Sequence, residues 1–310
     1  MIQSASPLSN SPTPTIGGPP AIACRNVSKR FGRTLALNGL DITVPTGSVY
    51  ALLGRNGTGK STLIQLLMGM LEPSSGLVDV LGLNPARDDI ALKQRVGYIP
   101  ERLPMYDWMT VEQTLRFVAP FYPEWSADDE QSLVARFRID RAQKVGALSR
   151  GYRALLSLVI AMAHRPDLVL LDECTSGMDA IARREFERSV IDSLQVAGRT
   201  VLFAGHQIDE MERICDWVGV IHNGRMLVEL PLDELKDTVT LLRVASDDPP
   251  DLTACTVLSQ RRSGRESSVT VRLDQPGVAP QLPTGATLLE TIPLTLEEIF
   301  VALVEAEEQQ

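Results

Sequence analysis

The stretch "VYALLGRNGTGKST", residues 49–62, constrains the fold more than any other part of this sequence. It predicts a short buried strand, a glycine-rich loop with the spacing Gly54-x-x-x-x-Gly59-Lys60-Ser61, and then an apolar helix. This order of strand, loop and helix is the context that a Walker A phosphate loop requires. The alternative is a glycine-rich turn with an accidental lysine. We therefore expect an α/β fold with a phosphate site at the end of the strand.

The chemistry expected of this loop follows from its backbone. Glycines at positions 54, 57 and 59 allow successive N–H groups to converge on phosphate oxygens, and the helix N-terminus adds its positive end. Lys60 is expected to reach the β- and γ-phosphates, and Ser61 to bind Mg²⁺. The predicted ATP-binding residues are Gly54, Arg55, Asn56, Gly57, Thr58, Gly59, Lys60, Ser61 and Thr62.

A second motif, "DLVLLDECTSGMD" at residues 167–179, places two carboxylates after an apolar strand. Asp172 is expected to support Mg²⁺, and Glu173 to orient or deprotonate an attacking water. A buried strand that ends in acids is common by itself, but after a Walker A motif it predicts a hydrolytic site. Because neighbours on a strand point to opposite sides, the loop must begin at or near Glu173 for both carboxylates to face a nucleotide.

Changes in sequence character predict the domain organisation. Residues 1–20 are rich in Ser, Pro and Gly, lack the pattern of a secretory signal, and predict a flexible tail. Residues 21–234 predict an α/β domain with a largely parallel buried sheet. Within it, residues 102–160 predict an inserted helical subdomain, for which a simple surface helix pair is the alternative. Residues 235–310 predict a small α+β accessory domain, whose last helix starts with a capping box of Thr295 and Glu298.

Composition narrows the classes of partner. The 30 Lys and Arg against 39 Asp and Glu give a net charge of -9, which argues against general affinity for nucleic acid. The longest uncharged apolar run, residues 154–163, is half the roughly 20 residues that a membrane span needs. The cysteines show neither zinc-site nor disulfide spacing, so we expect reduced thiols; they are Cys24, Cys174, Cys215 and Cys255.

Five motifs in sequence order carry a family resemblance: "GRNGTGKST", "GYIPE", "LSRGY", "LVLLDECTSGMD" and "FAGH". On these, residues 22–229 resemble an ATP-binding cassette (ABC) ATPase. The resemblance implies the P-loop NTPase fold of ABC type, with ATP and Mg²⁺ as cofactors. It also implies that "LSRGY" is the signature motif, in which Ser149 and the N–H of Gly151 face the γ-phosphate held by a second subunit. Taken alone, Ser149 before an apolar helix is usually only a cap.

The resemblance implies roles for further residues. His206 would be the switch histidine that contacts the γ-phosphate and helps to position the catalytic water. Phe31 would stack on adenine, with a core or loop role as the alternative, and Asp179 would belong to the loop that crosses the dimer. Glu101 stands where many relatives have a glutamine, and it would add a hard oxygen ligand for Mg²⁺.

Two more positions depart from the family pattern. Arg150 replaces the commoner second glycine of the signature motif, although the expected contact uses Ser149 and Gly151. Cys174 replaces the usual proline after the catalytic glutamate, which removes a fixed φ and should relax the backbone there.

The resemblance is greatest to bacterial exporters of drugs, antibiotics and lipids whose cassette is a separate polypeptide. It implies an ATP-hydrolysing subunit that pairs with a second ABC subunit and powers a separately encoded transmembrane permease from the cytoplasmic side of the cell membrane. The alternative is a non-transport ABC switch that regulates a soluble or nucleic-acid partner. Met105, Tyr106 and Trp108 are candidates for the permease-facing groove, with a place in the subdomain's own core as the alternative for Trp108.

Overall fold

The secondary structure is taken from a computed structural model that describes residues 18–174, 178, 183, 184, 186, 188, 190, 198–205, 207–247, 252, 255–274, 282 and 285–309. In chain order its strands are β1 Ile22–Phe31, β2 Thr34–Val44, β3 Val49–Leu53, β4 Ser75–Val80, β5 Val96–Ile99, β6 Leu168–Asp172, β7 Thr200–Gly205, β8 Trp217–His222, β9 Arg225–Pro231, β10 Val239–Ala245, β11 Cys255–Ser263, β12 Glu266–Leu273 and β13 Thr287–Pro293. Its α-helices with defined bounds are α1 Lys60–Leu67, α2 Asp89–Arg95, α3 Val111–Val118, α4 Ala127–Arg136, α5 Arg150–Ala163, α6 Ile208–Met211, α7 Leu232–Thr238 and α8 Leu296–Glu308.

A six-stranded sheet of order β5-β6-β7-β3-β8-β9 forms the centre of the fold. Neighbours from β5 to β8 are parallel, and β9 returns antiparallel to β8. Every residue of β6, β7 and β8 is buried, as continuous apolar runs predict for a covered parallel sheet. Because β3 and β6 are parallel and separated by β7 alone, the phosphate loop and the strand-end carboxylates meet at one edge.

A separate three-stranded antiparallel sheet of order β2-β1-β4 accompanies the parallel one. The sequence predicted one largely parallel sheet for this region, and the antiparallel sheet was not anticipated. Its buried side chains, among them Ile22 and Leu40, share a hydrophobic cluster with Leu52 of β3 and Leu63 of α1. Buried and less buried positions alternate over the first residues of β1 and the last five of β2, which suits a sheet with one covered face.

The segment predicted to be helical, residues 102–160, contains α3, α4 and most of α5. Side chains cap each of these helices: Thr110 forms a capping box with Gln113, Ser126 caps α4, and Ser149 caps α5. Helix α5 packs against α4 and against β5, so the segment is joined to the edge of the main sheet.

The C-terminal part contains an antiparallel sheet of order β11-β12-β10-β13 and the helix α8, which starts with the predicted Thr295–Glu298 capping box. Helix α7 runs through the boundary expected at residue 235. The buried face of α8, which includes Ile299 and Leu303, lies in the same hydrophobic cluster as Phe203 of β7. The accessory region is therefore packed onto the α/β core rather than tethered beside it.

No helix within the described ranges combines the length and the apolar composition that crossing a membrane requires. All four cysteines are free thiols, and three of them are buried.

Candidate active site

The Walker A loop leaves β3 at Gly54 and enters α1 at Lys60. Gly57 and Gly59 have φ angles of 81° and 111°, a region that side chains other than glycine rarely adopt. A Cβ at Gly59 would lie 2.7 Å from the carbonyl oxygen of Ala36. The glycine spacing of the motif thus serves both the turn and the close approach of β2.

Lys60 is buried, and its ammonium group is folded back over the loop. Its Nζ donates to the carbonyl oxygens of Gly54 at 2.7 Å and Arg55 at 3.1 Å. The same nitrogen lies 3.2 Å from Oε1 of Glu173, which comes from β6. The positive charge is thereby held at the junction of the two motifs.

The end of β6 brings Asp172 beside the first turn of α1. The Ser61 hydroxyl donates to Oδ1 of Asp172 at 3.1 Å. Burial raises the pKa of Asp172, and the charges of Glu173 and Glu101 raise it further. The Ser61 hydrogen bond and the charge of Lys60 lower it in part. A cation beside Asp172 would stabilise the ionised form of its carboxyl group.

Glu173, the first residue after β6, has a φ of 48°, in the left-handed region. Its N–H donates to the carbonyl oxygen of Ala204 at 2.9 Å. The strand stops at Asp172, so the change of backbone direction falls at the position that the sequence argument required for both carboxylates to face one site. A non-glycine residue in this conformation costs roughly 1 kcal/mol or more, which neighbouring structure must offset.

A cavity of about 330 Å³ opens over the loop. It brings together both predicted motifs and Glu101. Its lining residues are Ala36, Asn56, Gly57, Gly59, Lys60, Ser61, Thr62, Glu101 and Glu173. Arg55 and Thr58 support the loop instead, since the Thr58 hydroxyl donates to the Arg55 carbonyl oxygen at 2.8 Å.

The chain is similar to known proteins in both sequence and structure. Residues 37–176 match a family model described as ABC transporter. The bacitracin transport ATP-binding protein BcrA of Bacillus licheniformis is 32% identical over 69% of this chain and 71% of its own length. The Nod factor export ATP-binding protein I of Ralstonia nicotianae is 30% identical over 94% of this chain and 96% of its own. The chain belongs to the ABC transporter ATP-binding family.

Solved structures agree with this membership of the ABC family. An ATP-binding subunit of an ABC transporter superposes with a TM-score of 0.64 at 26% identity, covering 70% of this chain and 92% of that one. The cbiO1 protein of Clostridium perfringens, part of the ABC transporter complex cbiONQ, gives 0.62 at 25% identity, with 70% and 91% covered. The predicted fold class, a P-loop NTPase of ABC type, is confirmed.

The signature position of this ABC chain has the cap that the local sequence predicted. Ser149 is the N-cap of α5, and its side chain accepts from the N–H of Tyr152 at 3.3 Å. Ser149 and Arg150 are exposed to solvent, whereas Gly151 is buried. Neither Ser149 nor Gly151 lines the Walker A cavity of its own chain. The contact with a nucleotide on a second subunit stays a prediction.

Other predicted site residues lie apart from the cavity or outside the described residues. Phe31 is 46% exposed at the end of β1, and the ammonium group of Lys29 lies 5.1 Å from its ring centroid. His206 and Asp179 lie outside the described residues. His164, which is not among the predicted site residues, is buried and stacks on Tyr122 with ring centroids 4.1 Å apart. Burial lowers the pKa of His164.

The residues present fit ATP and Mg²⁺. Because Gly59 has no Cβ, the loop backbone can lie close to β2. Lys60 supplies a buried positive charge beside it. Within the described part of the chain, no cluster of three or more His, Cys, Asp or Glu side chains forms a metal site. Ser61 and Asp172 supply oxygen donors, which Mg²⁺ takes together with phosphate oxygens.

Two features near the site were not anticipated from the sequence. The turn between β8 and β9, at Asn223 and Gly224, contacts the Walker A loop. Asn-Gly between two apolar runs is a strong signal for the hairpin itself, but it does not indicate what the turn contacts. Phe117 and Phe121 extend the exposed aromatic surface that begins at Tyr106 and Trp108. The helical spacing of the two phenylalanines could have placed them on one face of the segment, but their exposure depends on packing.

Proposed function

We propose that this chain binds ATP with Mg²⁺ in the Walker A cavity, hydrolyses it, and supplies the energy for an ABC exporter. The observation that carries the proposal is the 3.2 Å contact between Lys60 Nζ and Glu173 Oε1. It joins a phosphate-binding lysine to the expected catalytic carboxylate inside one cavity. The membership of the ABC family supports the same conclusion.

Binding follows from groups that the loop already presents. Lys60 exchanges its contacts with the carbonyls of Gly54 and Arg55 for the more strongly attracting phosphate oxygens. Backbone N–H groups of the glycine-rich loop and of the N-terminus of α1 donate hydrogen bonds to the remaining phosphate oxygens. Ser61 and Asp172, with Glu101 as a further oxygen donor, hold Mg²⁺. Mg²⁺ held by these residues would supply positive charge to the phosphates, and it would favour the ionised form of Asp172, whose pKa is raised by burial and by the charges of Glu173 and Glu101.

Hydrolysis requires a water molecule in line with the γ-phosphate. Glu173 orients this water and takes its proton as the oxygen forms a bond to phosphorus and the bond to the ADP oxygen breaks. The contact with Lys60 holds the carboxylate of Glu173 beside the phosphate position before ATP arrives. His206 is proposed to assist at the γ-phosphate, and Phe31 to pack against adenine.

The second half of each site comes from another ABC subunit in this proposal. Ser149 and the N–H of Gly151 face the γ-phosphate that the other subunit holds, and Asp179 links the two sites. The N-terminus of α5 carries a positive end, and the exposed side chain of Ser149 is available to a partner. Exposed Arg150 adds positive charge at the same helix end.

An aromatic surface on the helical segment is proposed to receive the membrane permease. Tyr106, Trp108, Phe117 and Phe121 are 47 to 65% exposed. Their rings touch in series, with centroids 5.8 Å apart for Tyr106 and Trp108, 6.0 Å for Tyr106 and Phe117, and 5.7 Å for Phe117 and Phe121. A contiguous exposed aromatic patch is typical of a protein interface. This docking would hold the chain at the cytoplasmic face of the membrane.

ATPase activity of the wild type and of Glu173→Gln tests the catalytic proposal. The variant keeps the shape of the side chain but cannot take a proton, so we expect a fall of roughly 10²- to 10⁴-fold in turnover. Glu124→Gln changes an exposed glutamate of the helical segment and should retain activity. Unchanged turnover in Glu173→Gln would remove Glu173 from the mechanism.

Ser149→Arg tests the shared site. We expect loss of hydrolysis with retained ATP binding, because the large charged side chain blocks the approach of a second subunit. Ser126→Arg removes the comparable cap of α4 and should leave hydrolysis intact. Equal losses in both variants would mean that Ser149 acts as a cap alone.

Affinity purification from solubilised membranes separates the transporter from a non-transport switch. We expect a multi-span membrane protein to accompany the wild type and to be lost with Trp108→Ser. Ile90→Ser replaces an exposed apolar residue elsewhere and should keep the partner. Consistent recovery of a soluble partner without any membrane protein would favour the switch.

A further inference from the structure

The turn between β8 and β9 is built for close contact with the phosphate loop. His222 pairs with Arg225, and the two residues between them, Asn223 and Gly224, have φ angles of 47° and 75°. Two consecutive positive φ angles are those of a type I′ hairpin turn, for which Asn-Gly is the preferred sequence. Gly224 is buried, whereas its neighbours in the turn are exposed.

Gly224 joins the Walker A loop to β2 through its backbone. Its N–H donates to the carbonyl oxygen of Thr58 at 3.1 Å, and its carbonyl oxygen accepts from the N–H of Asn38 at 2.9 Å. When the Asn38 amide is oriented with its oxygen towards Arg225, the guanidinium group donates through Nε and Nη2 to that oxygen, each at 2.9 Å. The turn, β2 and the phosphate loop are thus tied at one point.

The packing at this point leaves no room for a side chain. A Cβ on Gly224 would lie 2.6 Å from the carbonyl oxygen of Ala36 and 2.9 Å from Cα of Leu37. A Cβ on Gly59, from the other side, would lie 2.7 Å from the same Ala36 oxygen. Backbone contacts this short cannot be relieved by rotating a side chain, so any added atom must displace the loop or β2.

We infer that the 223–224 turn positions the phosphate-binding backbone of the Walker A loop. The C=O and N–H of a trans peptide point in opposite directions, so holding the Thr58 carbonyl fixes the direction of the Gly59 N–H. Through Asn38 the turn also holds the part of β2 that contributes Ala36 to the cavity wall. Gly224 is therefore a positioning residue for ATP, and it acts without touching the nucleotide.

This inference rests on the proposed binding of ATP in the Walker A cavity. It is tested with Gly224→Ala and with a matched control, Gly264→Ala. Gly264 also has a positive φ, 65°, in the two-residue turn between β11 and β12, but a Cβ there would meet no atom within 4 Å. Both variants place a Cβ at a position with positive φ, but only the Cβ of Gly224→Ala would clash with β2 beside the phosphate loop.

The measurements are the Kd for ATP·Mg²⁺ by titration, the KM and kcat of ATP hydrolysis, and the thermal midpoint of each variant. We expect Gly224→Ala to raise the Kd and KM by about tenfold or more, the order that overpacking of a close contact produces. Its kcat should change less, because the phosphate contacts serve the bound and the reacting state alike. Gly264→Ala should keep the wild-type Kd.

Arg225→Ala provides a second variant if Gly224→Ala does not fold. It removes the guanidinium contact with Asn38 from an exposed position, and we expect a rise of a few fold in the Kd for ATP, about 0.6 to 1 kcal/mol at about 1.4 kcal/mol per decade. A wild-type Kd in Gly224→Ala, or in Arg225→Ala if Gly224→Ala does not fold, would overturn the positioning role. A wild-type protein that fails to bind ATP would instead overturn the proposed function.

Discussion

Replacing Glu229 by glutamine should make the protein more stable at alkaline pH and leave it nearly unchanged at acidic pH. Glu229 lies on β9, where its Oε1 accepts from the Thr43 N–H and from the Tyr50 hydroxyl, each at 2.8 Å. These contacts join β9 to β2 of the antiparallel sheet and to β3, which leads into the Walker A loop. Burial raises the pKa of Glu229 from 4.5 to about 7, and the nearby charge of Asp41 adds to the rise.

The sign follows from linkage between protons and folding. A carboxyl group whose pKa is higher in the folded state binds more protons there, so the folded state is favoured at low pH and loses stability as pH rises from about 4.5 to about 7. At about 1.4 kcal/mol for each pKa unit, the full loss is about 3 kcal/mol, and about 2.5 kcal/mol of it falls between roughly pH 5 and 8.

Denaturant unfolding at intervals from about pH 5 to 8 measures this difference directly. Glutamine has the same shape and still accepts from Thr43 and Tyr50, but it cannot ionise. We expect the free energy of unfolding of Glu229→Gln to exceed that of the wild type by about 2 to 3 kcal/mol more at pH 8 than at pH 5. Glu124→Gln, at an exposed position, serves as the control. Parallel pH curves for wild type and Glu229→Gln would refute the argument.

Two further predictions concern α8. Thr295→Ala removes the cap that accepts from the Glu298 N–H and should lower the free energy of unfolding by about 1 kcal/mol, whereas Thr295→Ser should retain it; equal losses would contradict the capping argument. The Arg55–Glu308 ion pair at 2.9 Å links the Walker A loop to the end of α8, but both side chains are exposed. Glu308→Gln should therefore cost less than about 1 kcal/mol in denaturant unfolding, and a larger loss would show a structural role for this contact.

Local spacing determined what could be predicted at the site. The glycine positions of the Walker A loop, the caps at Ser149 and Thr295, and the strand that ends at Asp172 depend on residues near one another in the chain. Glycine adopts a positive φ more readily than any other residue, and a cap satisfies N–H groups two or three residues away. Such requirements are visible in a single sequence, and the structure contains each of them.

Contacts between distant parts of the chain required the tertiary structure. Ser61 and Asp172 are 111 residues apart, and their contact depends on the order in which β3, β7 and β6 assemble. The support of Thr58 by Gly224 has the same origin, because β8 happens to pair beside β3. Strand order is set by the packing of whole sheets and helices, which no short motif specifies.

Exposure was the other property that the amino-acid sequence left open. The sequence allowed two interpretations of Trp108, in the core of the helical segment or at an interface. In the structure its side chain is 65% exposed, whereas Met105 is partly buried against the core. Both residues are apolar and lie three positions apart, so composition and spacing treat them alike. Which of them faces solvent depends on how the chain around them packs against α5 and β5. That packing depends on how all the core side chains fill the available space.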